Sequence, residues 1–178
     1  MIEKRTEVYI EDWLEKKEVV DLVDQWRYGL GFLVEEINVE KPWGAYWRIP
    51  HRQVKQFVEM FFPMMKENIS KVKQNLSPKF LLIAPGERLS WQYHNRRSEN
   101  WVVVEGNVGI KTSDTDTEPE DVQRLITEER ISMEKGLRHR LIGMGEWGLV
   151  AEIWVHSDPE NPSDEEDVVR LQDDYARK

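Results

Sequence analysis

The chain has 178 residues, 39% of them hydrophobic and 33% charged, with a net charge of −9. That length suits one domain with a real core, and the composition is that of an ordinary soluble globule. The acidic balance argues against a nucleic-acid partner, which wants a basic stripe, and the absence of cysteine leaves only His, carboxylate, amide or water to hold a metal.

The N-terminal run MIEKRTEVYIEDW carries charges throughout and has none of the apolar stretch of a secretory signal. No apolar run approaches the ~20 residues of a membrane helix. A cytoplasmic location and no membrane partner are expected. The eight Trp residues read as core and edge packing, with stacking on a sugar ring as the alternative.

In EKKEVVDLVDQW, Val19, Leu22, Val23 and Trp26 share one helical face, and Gly29 and Gly31 supply the stop. The segment RQVKQFVEMFF places Val54, Phe57, Val58 and Phe61 at the same period, until Pro63 breaks the helix. A further short helix would carry Met65, Ile69 and Val72 as far as Ser77-Pro78. From residue 79 the texture changes to short β-rich runs (KFLLIAPG, LSWQYH, NWVVVEGNVGIK, RISMEKG, HRLIG and GLVAEIWV), the signature of a sandwich or barrel. The polar stretch 113–121 reads as a loop tip. Ser163 and Glu166 have capping-box spacing before DVVRLQDDYAR, which predicts a terminal helix. The expected layout is a mainly β structure: a helical extension and insertion over 1–78 packing on a barrel over 79–178, one structural domain overall.

The chemistry is concentrated in PGERLSWQYHNRRSENWVVVEG (85–106). Gln92 and His94 are two apart, so a strand points both to one face. The four residues after His94 suffice to turn a corner and bring Glu99 back from a neighbouring strand. In GLRHRLIG, His139 stands between Leu137 and Leu141 on one face. A buried imidazole without a partner costs about 1–3 kcal/mol, and a metal is one partner that would satisfy it. Two imidazoles, a carboxylate and an amide oxygen suit Zn, Fe, Mn, Co or Ni. On spacing alone, a hydrogen-bonded core histidine remains the commoner fate of such a residue.

The spacing Gly86-x5-Gln92-x-His94-x4-Glu99-x6-Gly106 resembles the first cupin motif, with Gln92 where His is usual, and Gly136-x2-His139 resembles the core of the second. Together with KPWGAYW (41–47) and DEEDVVRLQDDYAR, these blocks resemble the type II mannose-6-phosphate isomerases, which occur alone or as the C-terminal half of bifunctional mannose-1-phosphate guanylyltransferases. The resemblance implies a cupin double-stranded β-helix, or jelly roll. It also implies a divalent metal (Zn first, with Fe, Mn, Co or Ni as alternatives) on Gln92, His94, Glu99 and His139. Lys41, Arg97 and Arg140 correspond to basic residues around the site and would bind substrate. The second motif's usual Pro and Asn are absent, with Glu134 and Gly143 in their places, and the chain departs from the family in three further places. HNRR replaces HHHR, Asn100 follows Glu99 where the family has His, and Trp154 replaces a Glu of the last barrel strand. Segment 48–78 reads as an insertion that could reshape the pocket.

The function implied is metal-dependent aldose–ketose isomerisation of a sugar phosphate in carbohydrate metabolism, with Glu87 and Lys79 as candidate bases. Arg138 and Arg140 alternate with the inward His139, so they would reach the pocket only at the barrel mouth. The alternatives are a non-catalytic sugar-binding or regulatory cupin and another cupin metalloenzyme such as an oxygenase. The expected partners are a small sugar or sugar phosphate and a second copy of the chain, since cupins commonly pair through exposed barrel edges. Asp167, Arg170, Asp173 and Tyr175 are expected to tie down the C-terminal segment.

Overall fold

A computed structural model describes residues 7–69 and 75–176. The first predicted helix is α1 (Lys16–Gly29). It ends as the glycines require, with the Leu30 N–H donating to the Trp26 carbonyl and Gly31 at φ +87°. The second is α2 (Val54–Phe61), which buries Val54, Phe57, Val58 and Phe61. Pro63 opens a 3-10 segment, Pro63–Asn68, where a further helix was predicted; Val72 lies outside the described residues.

The strands are β1 (Glu36–Asn38), β2 (Gly44–Arg48), β3 (Leu76–Ile83), β4 (Trp91–His94), β5 (Arg97–Glu105), β6 (Asn107–Ser113), β7 (Gln123–Ile126), β8 (Arg130–Met133), β9 (Arg138–Gly143), β10 (Gly148–His156) and β11 (Val168–Gln172). They form a six-stranded sheet, β1-β2-β3-β10-β5-β8, and a five-stranded sheet, β11-β4-β9-β6-β7. Every pairing is antiparallel. From β3 onward the chain changes sheet at nearly every connection, which is the double-stranded β-helix of a cupin jelly roll.

The six-stranded sheet is buried on both faces. Its inner face meets the other sheet through Leu81, Ile83, Trp101, Val103 and Val150 against Val108, Ile110 and Leu141. Its outer face packs Trp47, Phe80, Leu82, Val102 and Ile153 under Val19, Val23, Phe57 and Phe61 of the two helices. This double burial explains why β3 reads as a continuous apolar run instead of an alternating one. Of the eight Trp residues, six are buried, in keeping with packing as their main use.

Two expectations need correction. The N-terminal part is not wholly helical: β2 pairs with β3 along five residues and β1 extends the sheet, while β3 begins before the boundary drawn at residue 79. The C-terminal segment is not a helix. Asp164 does accept from the Glu166 N–H, but only one 3-10 turn, Glu165–Asp167, follows. Residues 168–172 then pair with β4 as β11. Without that strand β4 would be a bare edge, and satisfying its backbone groups outweighs the local helical signal. Among the described residues, no helix is long and apolar enough to cross a membrane.

Candidate metal centre and adjoining cavity

The turn between β4 and β5 sets the site. Asp167 accepts the backbone N–H groups of Asn95 (3.1 Å) and Arg96 (3.0 Å) and the Ser163 hydroxyl (2.6 Å). Burial opposes its ionisation, but these bonds and the nearby Arg97 charge hold its carboxyl below the usual range. Asp167 thereby fixes the corner that carries the chain from one sheet to the other. Gln92 and His94 point inward from β4, and Gln92 faces His139 directly across the β4–β9 pairing. Glu99 comes from β5, the next strand, and the corner that leads to it crosses into the opposite sheet.

The four side chains converge. His94 Nε2 lies 3.0 Å from Glu99 Oε1, and His139 Nε2 lies 3.4 Å from Glu99 Oε2. The imidazole centroids are 5.1 Å apart, and the Gln92 amide nitrogen is 3.5 Å from His94 Nε2. All four residues are buried. Among the described residues, His94, Glu99 and His139 are the one such cluster whose ligand atoms lie within 4.8 Å of one another.

The donor set fits a divalent cation. His139 Nδ1 donates to the Leu137 carbonyl at 2.9 Å, which leaves a lone pair on Nε2. That lone pair and Glu99 Oε2 are both buried without a hydrogen-bond partner among the described residues. Two facing acceptors are satisfied by a positive species between them, either a shared proton or a metal ion. Burial keeps His94 toward its neutral form. Burial also opposes ionisation of Glu99, but the positive charge around it, that of Arg97 included, outweighs this and holds the carboxyl well below its usual range. A neutral His94 and an ionised Glu99 are the forms in which these two residues ligate a metal. The Gln92 amide oxygen accepts from the Ser90 hydroxyl at 2.5 Å. Turning the amide over would present that oxygen to the cation, because a hydroxyl can accept as well as donate.

Beside this centre lies a cavity lined by Lys41, Lys79, Arg97, Glu152, Trp154 and Glu165, with Trp43 and Tyr46 on its wall. Arg97 is buried, donates to Glu99 Oε1 (2.8 Å) and Ser163 Oγ (2.7 Å), and stacks 3.6 Å over the Trp154 ring. Lys79 lies 3.7 Å over the same ring and pairs with Glu165 at 2.5 Å. Burial opposes ionisation of Glu165, but Lys79 holds its carboxyl below the usual range.

The structure thus brings Lys41, Lys79 and Arg97 to the cavity, but neither Glu87 nor Arg140. Glu87 accepts from the Tyr175 hydroxyl of the C-terminal tail, so it is corrected from a candidate base to an anchor of that tail. Arg140 points to the other face of β9, where it bonds Glu118 at 2.9 Å and the Gln172 carbonyl at 3.2 Å. The alternation of side chains along a strand is the reason, and Arg140 is corrected from substrate ligand to outer-face strut. Arg138 likewise pairs with Asp116 over the Tyr93 ring. His156 is buried between the Ser77 hydroxyl (2.7 Å) and the Ser163 N–H (3.0 Å).

Sequence reasoning missed Glu152. The last barrel strand does carry an inward carboxylate, two residues before Trp154 and on the same face. Glu152 is buried opposite Lys79 in the β10–β3 pairing and accepts from Trp101 Nε1 at 3.0 Å. Burial and the Glu99 charge push its pKa up to about 8. The signal was legible: period-2 alternation in VAEIWV puts Val150, Glu152 and Trp154 together.

Comparison with known proteins agrees with this architecture. Residues 50–173 match the family described as "Mannose-6-phosphate isomerase C-terminal". The Xanthan biosynthesis protein XanB of Xanthomonas campestris (strain ATCC 33913) is 29% identical over 140 residues, covering 79% of this chain and 24% of that protein. The mannose-1-phosphate guanylyltransferase ManC of Salmonella typhimurium is 32% identical over 145 residues, covering 82% and 26%. The chain therefore spans about a quarter of the length of the curated relatives it matches. Among solved structures, vicilin from hazelnut (Corylus avellana) superposes with a TM-score of 0.50 at 14% identity, over 68% of this chain and 32% of that one, a likeness of fold alone. By the extent of the family match, the chain belongs to the mannose-6-phosphate isomerase C-terminal family.

Proposed function

We propose that the protein is a metal-dependent aldose–ketose isomerase acting on a hexose phosphate of the mannose 6-phosphate type. The observation that carries this reading is the unpaired His139 Nε2 facing an unpaired Glu99 Oε2 beside a cavity lined with cations. Gln92, His94, Glu99 and His139 would hold the metal. When bound, it would supply positive charge for the oxygens of the substrate as an enediolate develops.

The chain's own residues supply the rest. Isomerisation removes the proton from C2 of the aldose and delivers one to C1, while O1 gains a proton and O2 loses one. Glu152 faces the cavity from β10 and, with its pKa pushed up to about 8, is a group able to take the proton from one carbon and return it to the other. Arg97, held by Glu99 and Ser163, orients the ligand carboxylate. Lys41 and Lys79 offer point charges to a phosphate, and Trp43, Tyr46 and Trp154 wall the space from water.

The test is proton–deuterium exchange at C2 of mannose 6-phosphate in heavy water, followed by NMR on metal-loaded protein. Exchange coupled to fructose 6-phosphate formation is expected; binding without exchange would make the protein a sugar-phosphate receptor.

A further inference from the structure

Lys79 is a buried cation that the protein neutralises with one of its own half-exposed side chains. The lysine side chain is 5% exposed and that of its partner Glu165 is 54% exposed. The ammonium does not depend on this partner for its position, because it also sits 3.7 Å over the Trp154 ring and 5.1 Å over the Tyr46 ring. Glu165 stands at a boundary. It lines the cavity and also an outer groove formed with Arg48, Ser77, Asp164 and Glu166. The turn that bears it is anchored on both sides, by Asp164 to Arg96 (2.9 Å) and by Asp167 to the β4–β5 corner. The Glu165 carboxylate can therefore swing outward about its side-chain torsions while the backbone stays in place.

We propose that Glu165 is a resident counter-ion that occupies the anion position over Lys79 and must be displaced by the anionic group of an incoming ligand. The proposal rests on the sugar-phosphate reading for the identity of the cavity, but displacement itself requires only a phosphate-like anion. A neutral sugar leaves the Lys79–Glu165 pair intact and meets a narrowed cavity. A dianion trades a better charge for the tethered carboxylate. A tethered competitor acts at an effective concentration on the order of millimolar, so weak monoanions are excluded and only ligands that outbid it enter. Glu165 would thus select for phosphorylated over neutral or weakly charged ligands, which is discrimination by a built-in competitor.

The experiment is calorimetric titration of the metal-loaded full chain with inorganic phosphate. Glu165→Gln removes the charge and keeps a hydrogen-bonding side chain; it should bind phosphate about tenfold more tightly than wild type. Glu166→Gln makes the same change in net charge at an exposed neighbour and should leave binding unchanged. Lys79→Met should abolish binding in both the wild-type and Glu165→Gln backgrounds. Equal affinity of wild type and Glu165→Gln, an equal gain in Glu166→Gln, or undiminished binding in Lys79→Met would each overturn the proposal. The C2 exchange of mannose 6-phosphate is measured separately, so a failed gate with intact exchange leaves the isomerase reading standing.

Discussion

His139 Nε2 and Glu99 Oε2 face each other across 3.4 Å, both buried and, among the described residues, with no other hydrogen-bond partner. The bond from His139 Nδ1 to the Leu137 carbonyl fixes the tautomer that creates this confrontation. Two acceptors in contact inside a protein destabilise it unless a proton or a metal ion lies between them, and a bound ion also satisfies His94 and Gln92. The metal-free protein should therefore be measurably less stable than the loaded one. At a metal concentration 100 times the dissociation constant, binding adds about 2.7 kcal/mol. Thermal melts with Zn and with a chelator check this; identical melting in both would remove the reason for placing an ion there.

Glu152 titrates in an unusual range, and the sign of its effect on stability follows. Its folded pKa, about 8, lies above the ordinary carboxyl value of 4.5. The unfolded chain releases this proton first, so its contribution is fully present below pH 4.5 and is lost as pH rises toward 8. Metal-free Glu152→Gln should lack that decline and exceed wild type in stability above pH 8, by an amount on the order of a few kcal/mol. Denaturant unfolding between pH 5 and 9 measures it.

Asp167 shows the opposite sign. Its folded pKa is depressed, so its contribution is present above the ordinary Asp value and lost as pH falls through the folded one. Asp167→Ala should destabilise the fold by about 1–3 kcal/mol at neutral pH, because two corner N–H groups lose their acceptor. It should also weaken metal binding by displacing His94 relative to Glu99. A variant that melts like wild type and binds metal equally well would contradict the role of the corner.

Gly106 closes the β5–β6 turn at φ +77°, and a Cβ there would stand 2.1 Å from the Trp147 carbonyl oxygen. Gly106→Ala should cost several kcal/mol, since backbone strain and a backbone clash add. Gly136 also has positive φ, at +86°, but has open space around it. Gly136→Ala should cost only about 1 kcal/mol. Urea titrations of the two variants compare them directly.

Much of this architecture is legible in the sequence, for physical reasons that also mark where legibility ends. The two-residue step from Gln92 to His94 fixes a shared face because strand alternation admits no other outcome. The same alternation warns that Arg140 points away from His139, against its assignment as a substrate ligand. The step from His94 to Glu99 is ambiguous, because a short connection serves a hairpin or a corner between sheets equally well. The DVVRLQ run was misread because Ser163 and Glu166 have helical capping spacing, and the bare edge of β4 that recruits it is a tertiary fact. Glu152 shares the face of Trp154 by strand alternation, but that this face is the one turned to the cavity is a tertiary fact.

Elemental analysis of the purified wild-type chain beside Glu99→Ala and His139→Ala decides whether Gln92, His94, Glu99 and His139 together bind one divalent cation. The expected result is about one metal ion per wild-type chain and a loss of bound metal in both variants, each still folded by circular dichroism. Unchanged metal content in both variants, or folded wild-type protein that takes up no ion from any of Zn, Fe, Mn, Co or Ni, would contradict it.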